Sequence, residues 1–248
     1  MQSPFIILKE TPVMVAATTQ RGDSAADANP YSGFSLCHYT GDTPEQIAAC
    51  RAELCRRFGI EESRLYVPRQ THSTRVLTLT EENADDTRPD SVDAIVTTMH
   101  GAVIGVNTAD CLPVLLYDEE AEVIAAAHAG WRGAVKGILG DTIKAMEAVG
   151  ASAARIRAIV CPAICVDCFE VGEEVAEQFP ASCVKRIPGS KPHVNLPQFA
   201  REALMEAGLH DANITLTGAC TRCNPRRYFS ARRLGINSGR NYSFIMLK

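Results

Sequence analysis

The chain has 248 residues, 46% of them hydrophobic, enough for a large core in one domain spanning 1–248. A formal net charge of −4 speaks against a protein whose main work is holding nucleic acid, and no apolar stretch is long enough for a bilayer span, so no membrane association is expected. The start "MQSPFIILKETP" lacks the pattern of a signal peptide, and ten cysteines in such a chain are expected to be reduced thiols or metal ligands in a cytoplasmic protein.

In chain order, "QRGDSAADANPYSG", 20–33, has the Gly, Pro, Asp and Asn content of a surface loop. "TPEQIAACRAELCRRFG" follows as an amphipathic helix with Thr43 as N-cap, Pro44 at its first position and Gly59 at its end. Cys50 and Cys55 fall inside it and read as small core-facing residues. The runs "RLYVPRQTHSTRVLTLT", "DAIVTTMHGAVIGVNTADCLPVLLYD" and "EVIAAAHAG" are rich in Val, Ile, Leu and Thr and read as strands. From Arg132 the apolar spacing becomes helical through Val135, Ile138, Leu139, Ile143 and Met146 to a stop at Gly150, with Gly137 and Gly140 weakening the helix. "EEVAEQF" and "LPQFAREALMEAGL" read as helices, "ITLTGAC" and "YSFIMLK" as strands. The class is mixed α/β with a largely antiparallel or mixed sheet.

The runs "CLPVLLYD" and "AEVIAAAH" are separated only by "EE". A two-residue turn there places Asp118 opposite Ala121 and Cys111 directly opposite His128, on one face and about 5 Å apart at Cβ, close enough to share a metal ion or a proton. His72, at the end of another strand-like run, is a third candidate. Two imidazoles and a thiolate suit Zn²⁺ and are acceptable to Cu²⁺, and three protein ligands leave the open position of a catalytic site. With no metal, Cys111 beside His128 would instead be the thiolate–imidazolium pair of a cysteine hydrolase or deamidase.

"HAGWRG", 128–133, lies between a strand and a helix. Its glycines let the backbone approach a ligand, its amides face an anion, and Arg132 adds positive charge. Trp131 either covers an aromatic base or anchors the turn in the core. Two C-x-x-C pairs, Cys165/Cys168 and Cys220/Cys223, could close a Cys₄ zinc site, which would make the protein a binding module. The gap of 52 positions from Cys168 to Cys220 exceeds that of a compact zinc ribbon, so core cysteines or a redox pair are expected.

"RQTHSTRV", "GVNTADCLPVLL", "AAAHAGWRG", "CPAICVDCFEVGEEV" and "YFSARR…GR" together resemble the laccase-like multicopper polyphenol oxidase family, later described as purine nucleoside phosphorylases with adenosine deaminase activity. The resemblance runs from about Thr18 to the C-terminus. It implies a mixed-sheet αββα sandwich with flanking helices, shared with cysteine-dependent deamidase toxins, and metal ligands at His72, Cys111 and His128. It also implies phosphorolysis of adenosine, inosine or methylthioadenosine, and deamination of adenosine, so the expected partners are a purine nucleoside and phosphate. Zinc would activate water for the deamination. Arg132, Gly130 and the amides of the 129–133 turn, with Arg232, Arg233 and Arg240, are the phosphate and substrate candidates. Asp93 and Asp110 are candidates for orienting ligands or handling protons, and both also suit turns. Copper-dependent phenol oxidation is tempered by a count of only six histidines. This chain has Gln-Thr-His-Ser where the family commonly has Gln-Val-His-Gly, and "SLC", with Cys37, where the family has Ser-Leu-Asn.

Overall fold

The computed structural model describes residues 3–22 and 29–248. Its elements run β1 (Phe5–Glu10), β2 (Met14–Thr19), α1 (Pro44–Phe58), β3 (Leu65–Tyr66), β4 (Val76–Leu79), β5 (Ala94–Thr97), β6 (Val103–Thr108), β7 (Leu112–Asp118), β8 (Val123–Ala129), α2 (Trp131–Val135), α3 (Ile138–Ala148), β9 (Arg157–Val160), α4 (Glu173–Ala176), β10 (Val184–Lys185), β11 (His193–Val194), α5 (Leu196–Glu206), β12 (Ile214–Leu216), α6 (Ala231–Leu234) and β13 (Asn241–Leu247). Two mixed sheets dominate. One has the order β1-β2-β13-β6-β3, the other β12-β9-β7-β8-β5-β4.

Strand alternation sorts the apolar side chains into layers. Ala16, Ile104 and Ile245 of the first sheet meet Leu115, Ile124 and Ala126 of the second in one buried cluster between the sheets. The opposite face of the first sheet, with Val15, Val103 and Phe244, packs on Cys50, Leu54 and Phe58 of α1. The opposite face of the second, with Val114, Leu116 and Ala125, packs on Ile143 of α3 and Leu204 of α5. The layering is helix, sheet, sheet, helix, as the sandwich expectation has it. Strands covered on both faces need apolar residues at every position, which is why β7 and β8 read as unbroken runs rather than alternating ones.

Helix α1 forms where its punctuation predicts: the Thr43 side chain accepts from the Gln46 amide, Pro44 starts it, and Gly59 ends it at φ 68°. The helix expected from Arg132 to Gly150 is two, because Gly137 turns left-handed at φ 95° and separates α2 from α3. "EEVAEQF" yields only the four residues of α4, and "ITLTGAC" only the three of β12. Residues 23–28 of the expected surface loop lie outside the described residues; Arg21 at its start is buried, its guanidinium donating to the carbonyls of Ser32 and Pro225. Among the described residues no helix is long and apolar enough to cross a membrane.

Candidate metal centre

The hairpin β7–β8 carries two of the three candidate ligands, in a different register from the expected one. Its last pair is Asp118 with Val123, and Pro113, not Cys111, faces His128. The connection is a four-residue turn, 119–122, because the Asp118 carboxylate accepts from the amides of Glu120 and Ala121, both at 3.2 Å, and Glu122 turns left-handed at φ 51°. The two-residue slip preserves side-chain parity. Ala127 and Ala129 face the outer core and Ala126 faces the inter-sheet core, so His128 lies on the inter-sheet side; Cys111 shares that face diagonally across the pair.

The residue just before β5 supplies the organising carboxylate. The strand's pairing of Ala94 with Ala127, extended by one residue, brings Asp93 opposite His128, whose amide donates to the Asp93 carbonyl at 2.7 Å. Fully buried Asp93 also receives His128 Nδ1 at 2.8 Å. The same carboxylate gathers the amides of Thr71 (3.2 Å), His72 (3.0 Å) and Ser73 (2.8 Å) and the Ser73 hydroxyl (2.6 Å). "RQTHSTRV" is therefore a loop wrapped on a carboxylate, not a strand end, and His72 sits in it at φ 62°. Left-handed backbone is costly for a residue with a Cβ, and this grip is what holds it there. Ser73, in place of the family's glycine, contributes a second donor that glycine lacks.

The ligand atoms of His72, Cys111 and His128 all lie within 4.8 Å of one another, with Cys111 Sγ 3.6 Å from His72 Nε2. A tetrahedral zinc with Zn–N about 2.05 Å and Zn–S about 2.3 Å needs an N···S separation of about 3.5 Å, so the donor set fits. Gly130 closes the floor: a Cβ there would lie 2.6 Å from His72 Cδ2, 3.2 Å from Cys111 Sγ and 3.3 Å from His128 Cε1. Asp93 on Nδ1 leaves His128 Nε2 as the coordinating atom, the usual carboxylate–histidine support of a metal site.

The electrostatics agree with a thiolate ligand. Desolvation pushes the Cys111 thiol up, but the hydrogen bond and charge of His128, and then those of His72, outweigh it and bring it down to about 6. Desolvation opposes protonation of His128, yet its bonds to Asp93 and Cys111 raise it to about 9. Burial works against the Asp93 carboxylate too, and is overcome by His128 and Ser73, which hold it well below the ordinary carboxylate range.

Above the three residues opens a cavity of about 390 Å³, the size of a small-molecule pocket, walled by Tyr39, Gln70, Asn107, Ala109, Ile236 and Arg240. Of the predicted substrate contacts, Arg240 lines it, its guanidinium fixed by the carbonyls of Ile236 and Ser238 (both 2.7 Å) and Gly239 (3.0 Å). Arg132 and Trp131 do not line it: the Arg132 guanidinium lies 4.3 Å from the Trp131 ring centroid, and Trp131 packs on the outer core. Arg232 donates to the Glu170 carbonyl and, with Arg233, borders a separate depression beside Cys168 and Cys223. Cys37 is fully buried and does not line the cavity. Asp110, at φ 93°, does not reach the ligands; its carboxylate takes the Thr221 hydroxyl and the Arg232 amide, both at 2.7 Å, and so holds the backbone next to Cys111.

Asn107 is the residue that the sequence reading passed over. It is 3% exposed and lines the cavity, and among the described residues neither its carboxamide nitrogen nor its oxygen has a hydrogen-bond partner. Its backbone is fixed through Gln70, which donates to the Asn107 carbonyl at 2.7 Å and accepts from its amide at 3.0 Å. The available signal was a lone carboxamide inside the apolar run "AVIGVNTADCLPVLL".

The family model described as multi-copper polyphenol oxidoreductase laccase matches residues 14–248. Adenosine deaminase RL5, from an unknown prokaryotic organism, is 42% identical over 246 residues, covering 94% of this chain and 94% of its own length. A purine nucleoside phosphorylase of Bacteroides thetaiotaomicron is 35% identical, covering 93% of this chain and 90% of its own. Among solved structures, the hypothetical protein YfiH of Bacillus licheniformis superposes with a TM-score of 0.88 at 25% identity, covering 100% of both chains.

Proposed function

The chain belongs to the multi-copper polyphenol oxidoreductase laccase family, and from that premise we propose that it is a zinc-dependent purine nucleoside enzyme acting at His72, Cys111 and His128. It cleaves adenosine or inosine with phosphate to the free base and ribose 1-phosphate, accepts methylthioadenosine in the same way, and deaminates adenosine to inosine. Relatives with the names adenosine deaminase and purine nucleoside phosphorylase, aligned over most of this chain, support an enzyme of this kind. The observation that carries the reading is the N₂S donor set at the floor of a cavity that also holds an unpaired carboxamide and a fixed guanidinium.

Zinc on this donor set would supply a Lewis acid and lower the pKa of water for hydrolytic chemistry. The chain's own residues do the rest. Asp93 keeps the His128 proton on Nδ1, which fixes that ring, and holds the backbone of His72. Asn107 presents a donor and an acceptor side by side, the pair that matches an adenine edge. Arg240, already locked to its carbonyls, offers a positive charge to phosphate with little further ordering, and so stabilises the attacking anion as the bond from sugar to base breaks. Ala109 and Ile236 add apolar surface to the walls against which the base can pack.

Two histidines at the site suit a single zinc better than a multicopper cluster. The thiolate–imidazolium balance of Cys111 and His128 favours a second reading, a metal-free cysteine hydrolase, against which His72 stands as an unneeded third donor. Chromatography of adenosine incubated with the protein, with and without phosphate, separates the outcomes. Phosphate-dependent adenine or phosphate-independent inosine supports the nucleoside reading; neither product, with a Cys111 that alkylates at once, supports the hydrolase.

A further inference from the structure

Four cysteines outside the site just described come together. Cys165, Cys168, Cys220 and Cys223 offer sulfurs that all lie within 4.8 Å of one another, with Cys168 and Cys223 at 3.4 Å. The long gap that argued against them is bridged by the sheet. Parallel strands β9 and β12 are neighbours, pairing Ala158 with Ile214 and Val160 with Leu216, and both chains leave the sheet at the same end. The pairing continues beyond the strands: Ala163 bridges Cys220, with its amide on the Ala219 carbonyl at 3.2 Å and the Thr221 amide on its own carbonyl at 3.0 Å. Each C-x-x-C then turns tightly, the Cys168 amide donating to the Cys165 carbonyl and the Cys223 amide to Cys220 Sγ.

We propose that these four cysteines form a second, structural zinc site, closed by four thiolates and separate from the nucleoside cavity. A tetrahedral Zn–S₄ centre with bonds of about 2.3 Å has sulfurs about 3.8 Å apart, against about 2.05 Å in a disulfide, and the cluster has the metal spacing. Its surroundings are arranged for sulfur carrying negative charge. Cys220 Sγ accepts two backbone amides, from Cys165 at 3.3 Å and Cys223 at 3.4 Å, and Cys168 Sγ accepts Arg222 Nη1 at 3.5 Å. Arg232 and Arg233 border the same depression, so cations offset the net charge of −2 on a zinc tetrathiolate. Four thiolates this close cannot coexist without a cation among them.

The site's work is mechanical. It ties the loop after β9 to the loop after β12, and that pair of loops grips Asp110: the Ile164 amide donates to its carbonyl at 3.0 Å, and Thr221, between the third and fourth cysteines, donates its hydroxyl to the carboxylate at 2.7 Å. Asp110 is the left-handed residue immediately before Cys111. Zinc at the four cysteines thus braces the backbone that presents Cys111, and has no open position for chemistry of its own.

The test is metal analysis of protein purified under reducing conditions without added metal, on the unaltered chain, on Cys168→Ser/Cys223→Ser, and on His72→Ala/Cys111→Ser. Two zinc ions in the unaltered chain and one in each double variant is the expected result. X-ray absorption on zinc in His72→Ala/Cys111→Ser should give four sulfur neighbours at about 2.3 Å and no nitrogen, a readout independent of whether the cysteine variant folds. One zinc that persists in His72→Ala/Cys111→Ser and disappears from Cys168→Ser/Cys223→Ser supports this site and goes against metal at the other. Zinc unchanged by Cys168→Ser/Cys223→Ser, nitrogen in the absorption spectrum, or a Cys168–Cys223 disulfide in the unaltered chain would overturn it.

Discussion

Asp93 and His128 meet at 2.8 Å with both side chains buried, and the same carboxylate holds the backbone of His72, so one residue sets the position of two of the three candidate ligands. Asp93→Asn keeps the shape but weakens the grip on both. Loss of such a supporting carboxylate is expected to lower metal affinity by about 10- to 100-fold, measured by competition with a chromophoric chelator. Unchanged affinity would mean that His128 and His72 are ordered without it.

Gly130 is held to glycine by the ligands themselves. In Gly130→Ala the new methyl falls 2.6 Å from His72 Cδ2, in a floor with no slack. Metal at this centre and nucleoside turnover are expected to fall together, while overpacking costs about 1–3 kcal/mol of stability, read from urea melts. Full metal content in the folded variant would contradict the cavity floor described here.

Asn107 separates a reader of ligand from a structural carboxamide. Replacing a buried, unpaired polar group with an apolar one of similar size relieves a cost, so Asn107→Leu is expected to hold or raise the melting temperature. Its kcat/KM for adenosine should nonetheless drop by about 5- to 150-fold, the worth of a paired base contact of about 1–3 kcal/mol. A drop in stability with kcat/KM intact would assign it to the fold instead.

Asp118 fixes the hairpin register and gives a pH signature. Its carboxylate, 1% exposed, pairs with Arg155 at 3.0 Å and accepts from the turn amides and from Ser152; burial raises its pKa, but Arg155 and these amides outweigh it and hold it below the ordinary carboxylate value. A carboxylate depressed on folding stabilises fully above its unfolded pKa of about 3.9, and that stability is lost as pH falls through the lower folded value. Asp118→Asn should therefore cost about 2 kcal/mol at neutral pH, with the gap to the unaltered chain closing only below about pH 4 in urea melts. A gap that does not depend on pH would deny the ion pair.

Much of this was legible in the residues because it rests on local chemistry. The caps of α1 read correctly since Thr43, Pro44 and Gly59 act on their own turns. The two-residue turn puts Cys111 directly opposite His128, where the structure has Pro113; the two ligands still share a face because a two-residue slip keeps a strand's faces. What escaped depends on contacts distant in sequence. The fold of "RQTHSTRV" is set by Asp93, some twenty residues later and just before β5, and no spacing rule links Cys168 to Cys223 until β9 and β12 are known to be parallel neighbours. Arg132 and Arg232 carry the charge an anion site needs, yet stacking on Trp131 and a bond to the Glu170 carbonyl direct them elsewhere; of the candidate arginines, Arg240 is the one that lines the cavity.

The most direct measurement pairs metal content with adenosine turnover on the same preparations of the unaltered chain and Cys111→Ala. The account expects zinc at His72, Cys111 and His128 with adenine or inosine formed in the unaltered chain, and loss of that zinc together with both products in Cys111→Ala. Adenosine turnover that persists in Cys111→Ala after its zinc is gone would contradict it.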